Sequence, residues 1–318
     1  MTYAKVKART VARPGADARE SLWKMLQWRR PARSKTELAF IAKYLAPLKG
    51  VKPDAYGNMI GRIGTTAVLW SSHTDTVHSK GGLQKIERLG PSAMLARSEK
   101  DSSCLGADCT VGVWLMREMY LAGVPGLYVW HRDEEVGGLG SDHIAKETPG
   151  LLDGIQCAIA FDRKGYNSII TYQAGGRCAS DAFAKSLSGQ LGKGWKADEG
   201  GTFTDTANYP RLVPECTNLS VGYEGAHSVN ESTDLDFAML LLAAMKRLDI
   251  GALAIERDPS AIESEDWSGY YDRNIYDNGA QELADVVADY PQEVADILEQ
   301  YGYTAAALLA EIETAYNR

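Results

Sequence analysis

The amino-acid sequence predicts an α/β fold: a three-layer α/β/α sandwich with a mixed, largely parallel central sheet, plus a small C-terminal helical appendage. Segments with the apolar pattern of strands alternate with helical patterns between residues 66 and 248. Such alternation is typical of parallel strands joined by crossover helices. Acidic residues and histidines directly follow several of these strands. After residue 250 an acidic, turn-rich stretch precedes short helical patterns, which indicates a change of structural unit.

Two helices are predicted before the first strand of the sheet. The first spans about residues 18–29, where apolar side chains recur on one helical face. The second begins at Ser34 and continues to residue 45. Ser34 and Glu37 have the S-x-x-E spacing of a capping box, in which each side chain accepts a hydrogen bond from the backbone N–H of the other residue.

The elements that follow build the predicted sheet and its helical layers. Strands are predicted at 66–72, 126–132, 155–161, 168–173 and 215–222, a hairpin at 83–88 and 94–99, and helices at 110–123, 141–147 and about 233–248. In open α/β sheets, ligands bind beyond the carboxyl ends of the strands. The functional site is therefore expected where polar residues follow these strands.

The domain organisation is predicted from the same patterns. Residues 1–250 are expected to form the main domain, because they contain all the alternating strands and helices. Residues 251–279 are expected to form an acidic linker or a strap on the surface. Residues 280–318 carry only short apolar helical patterns and are predicted to be the helical appendage.

Charge and composition narrow the class of partner. The chain has 42 acidic and 34 basic residues, so no basic excess indicates a nucleic-acid binder. The longest apolar run, at residues 239–245, is too short to span a bilayer, and residues 1–15 lack the apolar core of a signal peptide. Five cysteines without a close C-x-x-C pair favour the reducing cytoplasm. We therefore expect a cytoplasmic protein without a nucleic-acid or membrane partner.

Five short segments carry the candidate chemistry. They are HTD at 73–75, GAD at 106–108, DEE at 133–135, FDRKG at 161–165 and GAHSVNE at 225–231. Imidazole and carboxylate groups together suit Zn²⁺, and one carboxylate can bridge two metal ions. A pair of such ions can activate water and polarise a carbonyl group. Each segment alone is a weak signal, because a histidine near a strand end is more often a hydrogen-bonded or surface residue than a ligand.

The five segments in this order resemble the co-catalytic zinc exopeptidases, the group that contains carboxypeptidase G, aminoacylase, tripeptide aminopeptidase and leucyl aminopeptidase. The resemblance rests on HTDTV, LGADCTVG, RDEEVGGLGS, FDRKG and GAHSVNE, which together cover residues 73–231, about half of the chain. It implies that residues 1–250 are a catalytic domain with a zinc exopeptidase-like fold, and that the protein is a hydrolase that uses two zinc ions.

The resemblance also implies a role for each metal-binding position. His73 and Asp162 would bind the first zinc, and Glu135 and His227 the second. Asp108 would bridge both ions. Cobalt or manganese could occupy the same ligands.

Two further residues receive catalytic roles from the resemblance. Glu134 would be the general base, which takes a proton from the attacking water and returns it to the leaving amine. Asp75 would accept the other ring N–H of His73 and so hold its tautomer. On an extended segment neighbouring side chains point to different sides. Glu134 is therefore expected to face the substrate while Glu135 holds the metal.

Less specific interpretations of these residues remain open at the level of sequence. The DEE segment could be a solvated acidic loop, Asp162 a turn residue and His227 a hydrogen-bonded loop histidine. His78, His131 and His143 are expected not to be ligands, because the resembling pattern has no metal position there. The HRD sequence at 131–133 lacks the glycine-rich loop and DFG that a kinase would add.

The chain departs from the group at two places. Cys109 follows Asp108 where many members carry a second acid or an amide, which leaves the local support of Asp108 open; the peptide bond at this point is often cis in the group. Only 65 residues separate Asp162 and His227, which leaves no room for the lid domain of the carboxypeptidase and aminoacylase branch. We therefore expect a lidless core with an aminopeptidase-like activity, whose site is lined by the loop at 200–209.

The function predicted from the sequence is zinc-dependent cleavage of a peptide or amide bond in small peptides or N-acyl amino acids. Two alternatives stay open. One is other amide chemistry on the same scaffold, by a deacylase or a glutaminyl cyclase. The other is a binding or assembly protein that keeps a peptidase core. Side-chain preference, native metal, oligomeric state and the role of the C-terminal tail do not follow from the sequence.

Overall fold

A computed structural model describes residues 16–90, 93–98 and 102–261, together with isolated positions between Val287 and Leu309. The chain divides into two compact units, Met1–Glu263 and Ser264–Arg318. Most of the predicted appendage at 280–318 lies outside the described residues. The assignment of a catalytic domain, a linker and an appendage therefore stays a prediction.

Six α-helices lie in the described part of the first unit. They are α1 (Ala16–Met25), α2 (Lys35–Tyr44), α3 (Ala107–Leu121), α4 (Leu139–Glu147), α5 (Asp181–Leu191) and α6 (Leu235–Met245). Among the described residues, no helix combines the length and the apolar character that a membrane crossing requires.

The strands are short except in the centre of the main sheet. In chain order they are β1 (Trp28–Arg29), β2 (Lys52–Pro53), β3 (Met59–Ile63), β4 (Val68–His73), β5 (Gly82–Leu83), β6 (Ile86–Arg88), β7 (Met94–Arg97), β8 (Gly126–His131), β9 (Cys157–Arg163), β10 (Ser168–Ile170), β11 (Tyr172–Gln173), β12 (Gly176–Arg177), β13 (Lys196–Asp198), β14 (Glu215–Ser220), β15 (Tyr223–Glu224) and β16 (Ser232–Asp234).

Eight strands form the central sheet in the order β13-β10-β14-β9-β4-β8-β3-β2. The neighbouring pairs β14/β9, β9/β4, β4/β8 and β10/β13 are parallel, and the other three pairs are antiparallel. The predicted mixed, largely parallel sheet is therefore confirmed. Its four central strands, β14, β9, β4 and β8, run in the same direction, so their carboxyl ends meet at one edge.

Apolar side chains cover both faces of the sheet, as parallel strands require. On β4, Val68 and Trp70 belong to the larger core, which packs under α1, α2, α3, α5 and α6. Leu69 points to the opposite face and joins a smaller core with Ile144 of α4. Helices thus lie on both faces of the sheet, and the three-layer architecture is confirmed.

Gly112 brings α3 unusually close to the sheet. A Cβ atom at this position would lie only 2.1 Å from the carbonyl oxygen of Phe161 on β9. Only a residue without a side chain fits there. The close approach carries the first turn of α3, which contains Asp108, towards the end of β9.

The first predicted helix is wrong at its C-terminal end. The helix ends at Met25, and Trp28 and Arg29 form β1, which pairs with β5. The ring of Trp28 packs edge-on against Phe40 of α2, with 5.9 Å between ring centroids. Helical periodicity in residues 18–29 could not reveal these partners, because they lie far away in the sequence.

The capping box of α2 is formed on one side only. Ser34 Oγ accepts the backbone N–H of Glu37 at 3.1 Å, as predicted. The Glu37 carboxylate, however, accepts from the backbone N–H of Arg33 at 2.8 Å and from the guanidinium of Arg132. The buried ion pair with Arg132 thus directs Glu37 away from Ser34.

The other predicted elements agree with the structure, with shifted ends. The hairpin is formed by β6 and β7. The strand predicted at 168–173 is split into β10 and β11, because Tyr172 and Gln173 turn to pair with β12. Between Asp162 and His227 the chain contains only short strands and α5, which belong to the core, so no lid domain is present there.

Candidate metal centre

His73 is the last residue of β4 and is almost completely buried. Its Nε2 atom lies 3.5 Å from Asp162 Oδ1, and its Nδ1 atom lies 3.5 Å from Asp75 Oδ1. Asp162 reaches this position because β9 runs parallel to β4 and extends to Arg163, beyond the strand end predicted at residue 161. One ring nitrogen of His73 therefore faces a predicted ligand, and the other faces the predicted orienting acid.

A second group forms around Asp108. His227 Nε2 lies 2.9 Å from Asp108 Oδ2 and 3.5 Å from Glu135 Oε2. His227 lies in the loop between β15 and β16 with a positive φ of 60°. Its side chain is 45% exposed, whereas the Asp108 side chain is 3% exposed. The loop thus presents a histidine over a buried carboxylate.

Two sets of three ligand atoms lie within 4.8 Å of one another. One set is His73, Glu134 and Glu135, and the other is Asp108, Glu135 and His227. Glu135 belongs to both. Asp162 belongs to neither set, although it approaches His73. Among the described residues, these two groups are the ones with metal-ligating geometry.

Glu134 and Glu135 lie in a turn between β8 and α4, not on the extended segment that their sequence suggested. Asp133 begins the turn with a positive φ of 63°, an uncommon backbone conformation for a residue with a side chain. The two oxygens of Asp75 then accept the backbone N–H groups of Glu134 and Glu135 at 3.2 and 3.1 Å. Asp75 therefore orients the turn as well as facing His73, and only the second role was predicted.

Asp108 lies in the first turn of α3, and Glu231 supports this turn from a distant loop. The Glu231 carboxylate accepts the backbone N–H groups of Leu105, Gly106 and Ala107 at 2.7–2.8 Å and that of Asp108 at 3.4 Å. The N–H groups of Ala107 and Asp108 are among the donors that a helix leaves unpaired at its N-terminus. The sequence showed Glu231 as the last residue of GAHSVNE, but no local pattern reveals a cap that bridges more than a hundred residues.

Cys109 stands where many members of the group carry an acid or an amide, and a basic residue contacts its side chain. Its backbone N–H donates to Asp108 Oδ1 at 2.7 Å, and its thiol accepts from Arg30 Nη2 at 2.7 Å. Arg30 is fully buried, and its guanidinium stacks over Phe40 at 4.0 Å from the ring centroid. The support of Asp108 thus comes from the Cys109 backbone and from Glu231. No described peptide bond is cis.

A cleft of about 190 Å³ opens over these groups. Glu134 lines this cleft and Glu135 does not. Thr202 and Phe203 of the loop at 200–209 line it too, as expected from the sequence. The ring of Phe203 packs so closely on Gly138 that a Cβ atom there would lie 2.3 Å from Phe203 Cζ. The loop therefore lies against the turn that carries the two glutamates.

No model of a known protein family matches this sequence, and neither does any curated protein. Solved structures do match. The aminopeptidase PepT of Bacillus cereus is similar with a TM-score of 0.58 and 14% identity, covering 72% of this chain and 97% of that one. The TET1 peptidase of Pyrococcus horikoshii, which can assemble into a tetrahedron or a large octahedral shell, has a TM-score of 0.51 and 16% identity over 72% of this chain and 98% of that one. A glutaminyl cyclase of an Acidobacteriales bacterium has a TM-score of 0.54 and 15% identity, covering 78% and 98% of the two chains.

The chain has the fold of these two peptidases and of the cyclase. At these identities the likeness shows the fold alone, and it confirms at that level the resemblance carried by the five motifs. The assignment of individual ligands and of Glu134 as the base stays a prediction, which rests on the geometry of this chain.

Three buried carboxyl groups lie close together in this site, and burial and neighbouring charges shift the pKa of each. Burial, together with the charge of Asp108, raises the pKa of Glu135 well above its usual range. Burial also raises the pKa of Glu134, with Asp162 adding to the effect. For Asp108, burial acts in the same direction, but the bond to His227 outweighs it and lowers the pKa. A bound cation would relieve this crowding, because it favours the ionised form of every carboxyl group around it.

The donor set fits a divalent metal of the zinc type. Imidazole nitrogens and carboxylate oxygens are the ligands that zinc takes in hydrolytic sites. Two buried ligand-type atoms, His73 Nδ1 and Glu135 Oε1, have no hydrogen-bond partner among the described residues. Buried polar atoms without a partner are rare in folded proteins. A metal ion bound to Glu135 would give the unpaired Oε1 atom a partner.

The remaining histidines do not join the two ligand groups. His78 is buried and contacts Thr76 Oγ1 at 2.8 Å and the carbonyl oxygen of Cys104 at 3.1 Å. His131 contacts the hydroxyl of Tyr209 at 2.7 Å and lies 3.3 Å from Asp205 Oδ2. Both are therefore structural residues of the core.

Proposed function

We propose that this protein is a zinc-dependent, aminopeptidase-like hydrolase that cleaves small peptides or N-acyl amino acids. The observation that carries the proposal is the pair of ligand groups that share Glu135, one of which also contains Glu134, whose side chain lines the cleft. A hydrolase of this type needs metal ligands and a separate proton carrier at neighbouring positions.

The proposal assigns the metal ligands as follows. His73 and Asp162 would hold one ion, Glu135 and His227 would hold the other, and Asp108 would serve both. When bound, two zinc ions polarise the scissile carbonyl group and lower the pKa of water, and cobalt or manganese could serve the same role. Asp75 keeps His73 in place through its contact with Nδ1.

Glu134 moves the proton in this proposal. Its side chain lines the cleft, and burial raises its pKa well above that of a solvated glutamate. A carboxyl group with a raised pKa can take a proton from the attacking water and return it to the leaving amine. The hydrogen bonds from the backbone of residues 134 and 135 to Asp75 keep this carboxyl group aimed at the reacting atoms.

The test compares two neighbouring substitutions. Glu134→Gln keeps the size of the side chain and removes its proton-carrying function, so kcat should fall about 10²–10⁴-fold with both zinc ions retained. Glu135→Gln should instead lose or loosen a zinc ion, because an amide is a poor ligand. Hydrolysis is followed on a panel of aminoacyl amides, short peptides and N-acyl amino acids, and zinc is measured by elemental analysis. Near-wild-type kcat in Glu134→Gln with metal intact would refute the mechanism.

A second candidate is glutaminyl cyclisation, which the likeness to a glutaminyl cyclase favours. It would use the same proton carrier on a peptide with an N-terminal glutamine. Such a peptide belongs in the substrate panel, and loss of free amine without chain cleavage would identify this activity. A binding protein that merely kept the peptidase core would have no need of Glu134, and it would turn over none of these substrates.

The proposal also places the protein in a reducing cytoplasm. All five cysteines are buried and unpaired in the described residues, which suits a compartment that keeps thiols reduced. The proposal includes an oligomeric state, because the TET1 peptidase of the same fold can assemble into a tetrahedron or a large octahedral shell. Analytical ultracentrifugation would measure the molar mass of the protein in solution.

A further inference from the structure

Two basic residues line one side of the cleft. Arg163 and Lys164 directly follow Asp162, and both border the space over the ligand groups. The other ionisable residues that line it, apart from the histidines His73 and His227 and the tyrosine Tyr223, are the acids Asp108, Glu134 and Asp162. The cleft is therefore polarised, with a cationic rim beside an anionic floor.

The guanidinium of Arg163 lies beside Asp198 and keeps N–H donors that have no partner among the described residues. Its side chain is 18% exposed, and Nη2 lies 3.5 Å from Asp198 Oδ2, at the outer limit of a hydrogen bond. That carboxylate is already bound at shorter distance by Ser168 Oγ at 2.6 Å and by the backbone N–H of Gly200 at 2.8 Å. The Nε atom of Arg163 is buried without a partner in the described part of the chain. A guanidinium has five N–H donors, and those other than the contact of Nη2 with Asp198 have no partner in the described part of the chain.

The Lys164 ammonium group is exposed, and no described residue pairs with it. Its backbone is fixed, because its carbonyl oxygen accepts from Ser220 Oγ at 2.8 Å. The register of β9 against β14 shifts between Leu219 and Ser220, where Ser220 comes to pair with Arg163. A register shift changes the direction in which the neighbouring side chains point. Here the shift coincides with the two cations at the cleft.

A neutral donor completes this rim. Asn218 is 6% exposed and lines the cleft. Its side-chain oxygen accepts the backbone N–H of Asp162 at 3.0 Å, which fixes the orientation of the amide. The amide NH₂ then has no protein partner among the described residues. One amide, one ammonium and one guanidinium group thus offer donors on the same side of the cleft.

We propose that this rim binds a carboxylate of the substrate, so that the enzyme prefers short peptides or acyl amino acids with a carboxylate close to the scissile bond. The rim residues Arg163 and Lys164 and the ligand Asp162 line the same cleft of about 190 Å³. An anion on the rim and the reacting carbonyl therefore belong to one short substrate. Guanidinium groups bind carboxylates with two parallel hydrogen bonds, and ammonium groups add a point charge. The inference rests on the proposed hydrolase only for the position of the scissile bond.

The test measures binding, so that it does not depend on turnover. The probes are three analogues of a dipeptide in which CH₂–NH replaces the scissile amide: Ala-Ala with a free carboxylate, Ala-Ala amide, and Ala-Glu amide. Each is titrated calorimetrically into the full chain, with and without added zinc. We expect the free carboxylate to bind roughly 10–100-fold more tightly than Ala-Ala amide, with a preference that weakens at high salt. Tight binding of Ala-Glu amide would identify an acidic side chain as an equivalent source of the carboxylate.

Two variants and one control assign the effect to the rim. Lys164→Gln and Arg163→Lys should each reduce the carboxylate preference at least about 5-fold, because one loses the charge and the other loses the paired geometry. Lys185→Gln makes the same charge change at an exposed residue of α5 that does not line the cleft, and it should leave the preference unchanged. Equal binding of acid and amide by the unmodified protein, or an unchanged preference in both rim variants, overturns the inference. A protein that shows the preference but hydrolyses nothing refutes the proposed hydrolase and leaves the rim in place.

Discussion

Replacing Glu231 with glutamine should weaken the first turn of α3, which carries Asp108. All four contacts of this carboxylate are backbone N–H donors. Burial and the charge of Asp108 raise its pKa, but a protonated carboxyl group would direct its own O–H at one of these donors. We therefore infer that Glu231 is ionised. Glutamine has a single acceptor oxygen and cannot replace it.

The size of the effect follows from the contacts. The amide oxygen of glutamine can keep the N–H groups of Leu105 and Gly106, both at 2.8 Å. Its NH₂ group then faces the N–H of Ala107, whose bond to the carboxylate is 2.7 Å long. Hydrogen bonds to charged groups contribute about 1.5–3 kcal/mol, and a negative charge at a helix N-terminus adds about 0.3–1 kcal/mol. The free energy of unfolding should fall by about 3 kcal/mol.

The measurement is urea unfolding at pH 7 for the unmodified chain, Glu231→Gln and Glu224→Gln. Glu224 is an exposed residue of β15, so its substitution should change the free energy of unfolding by less than about 0.5 kcal/mol. Zinc content should also fall in Glu231→Gln, because the turn that presents Asp108 is loosened. If Glu231→Gln is as stable as the control, the carboxyl group is neutral and does not act as a charged cap.

Three further outcomes are expected. Asp108→Ala should abolish binding of both zinc ions, whereas His73→Ala should chiefly weaken one, as elemental analysis after dialysis would show. A chain ending after Ala261 should keep zinc and activity, because it retains the hydrogen bonds from the backbone of Glu256 and Arg257 to Glu215; a folded but inactive product would give the tail a role in the chemistry. Burial lowers the pKa of His78 to about 4, below about 6.5 in the unfolded chain. Between these values the unfolded chain binds more protons, so stability should fall by up to about 3 kcal/mol as the pH drops from 6.5 to 4, and chemical denaturation should show a shallower pH dependence in His78→Gln.

The sequence alone determined the architecture of the core. Strands such as β4 and β8 were predicted because each contains an unbroken apolar run, Val68–Trp70 in β4 and Leu127–Trp130 in β8, and this pattern is local. The absence of a lid followed from the short spacing between Asp162 and His227. The clustering of polar residues at one sheet edge followed from the direction of parallel strands, which the alternation with helices already implied.

The tertiary structure decided how the site residues are held. Asp75 binds the backbone of residues 134 and 135, and Glu231 caps the turn before Asp108. Arg30 donates to the thiol of Cys109, the residue that stands where many members of the group carry an acid. Each contact joins segments that are about 60 to 126 residues apart in the chain. Periodicity and capping rules describe neighbours within one helical turn or one strand, whereas these partners meet only after the sheet has brought the ends of its strands together.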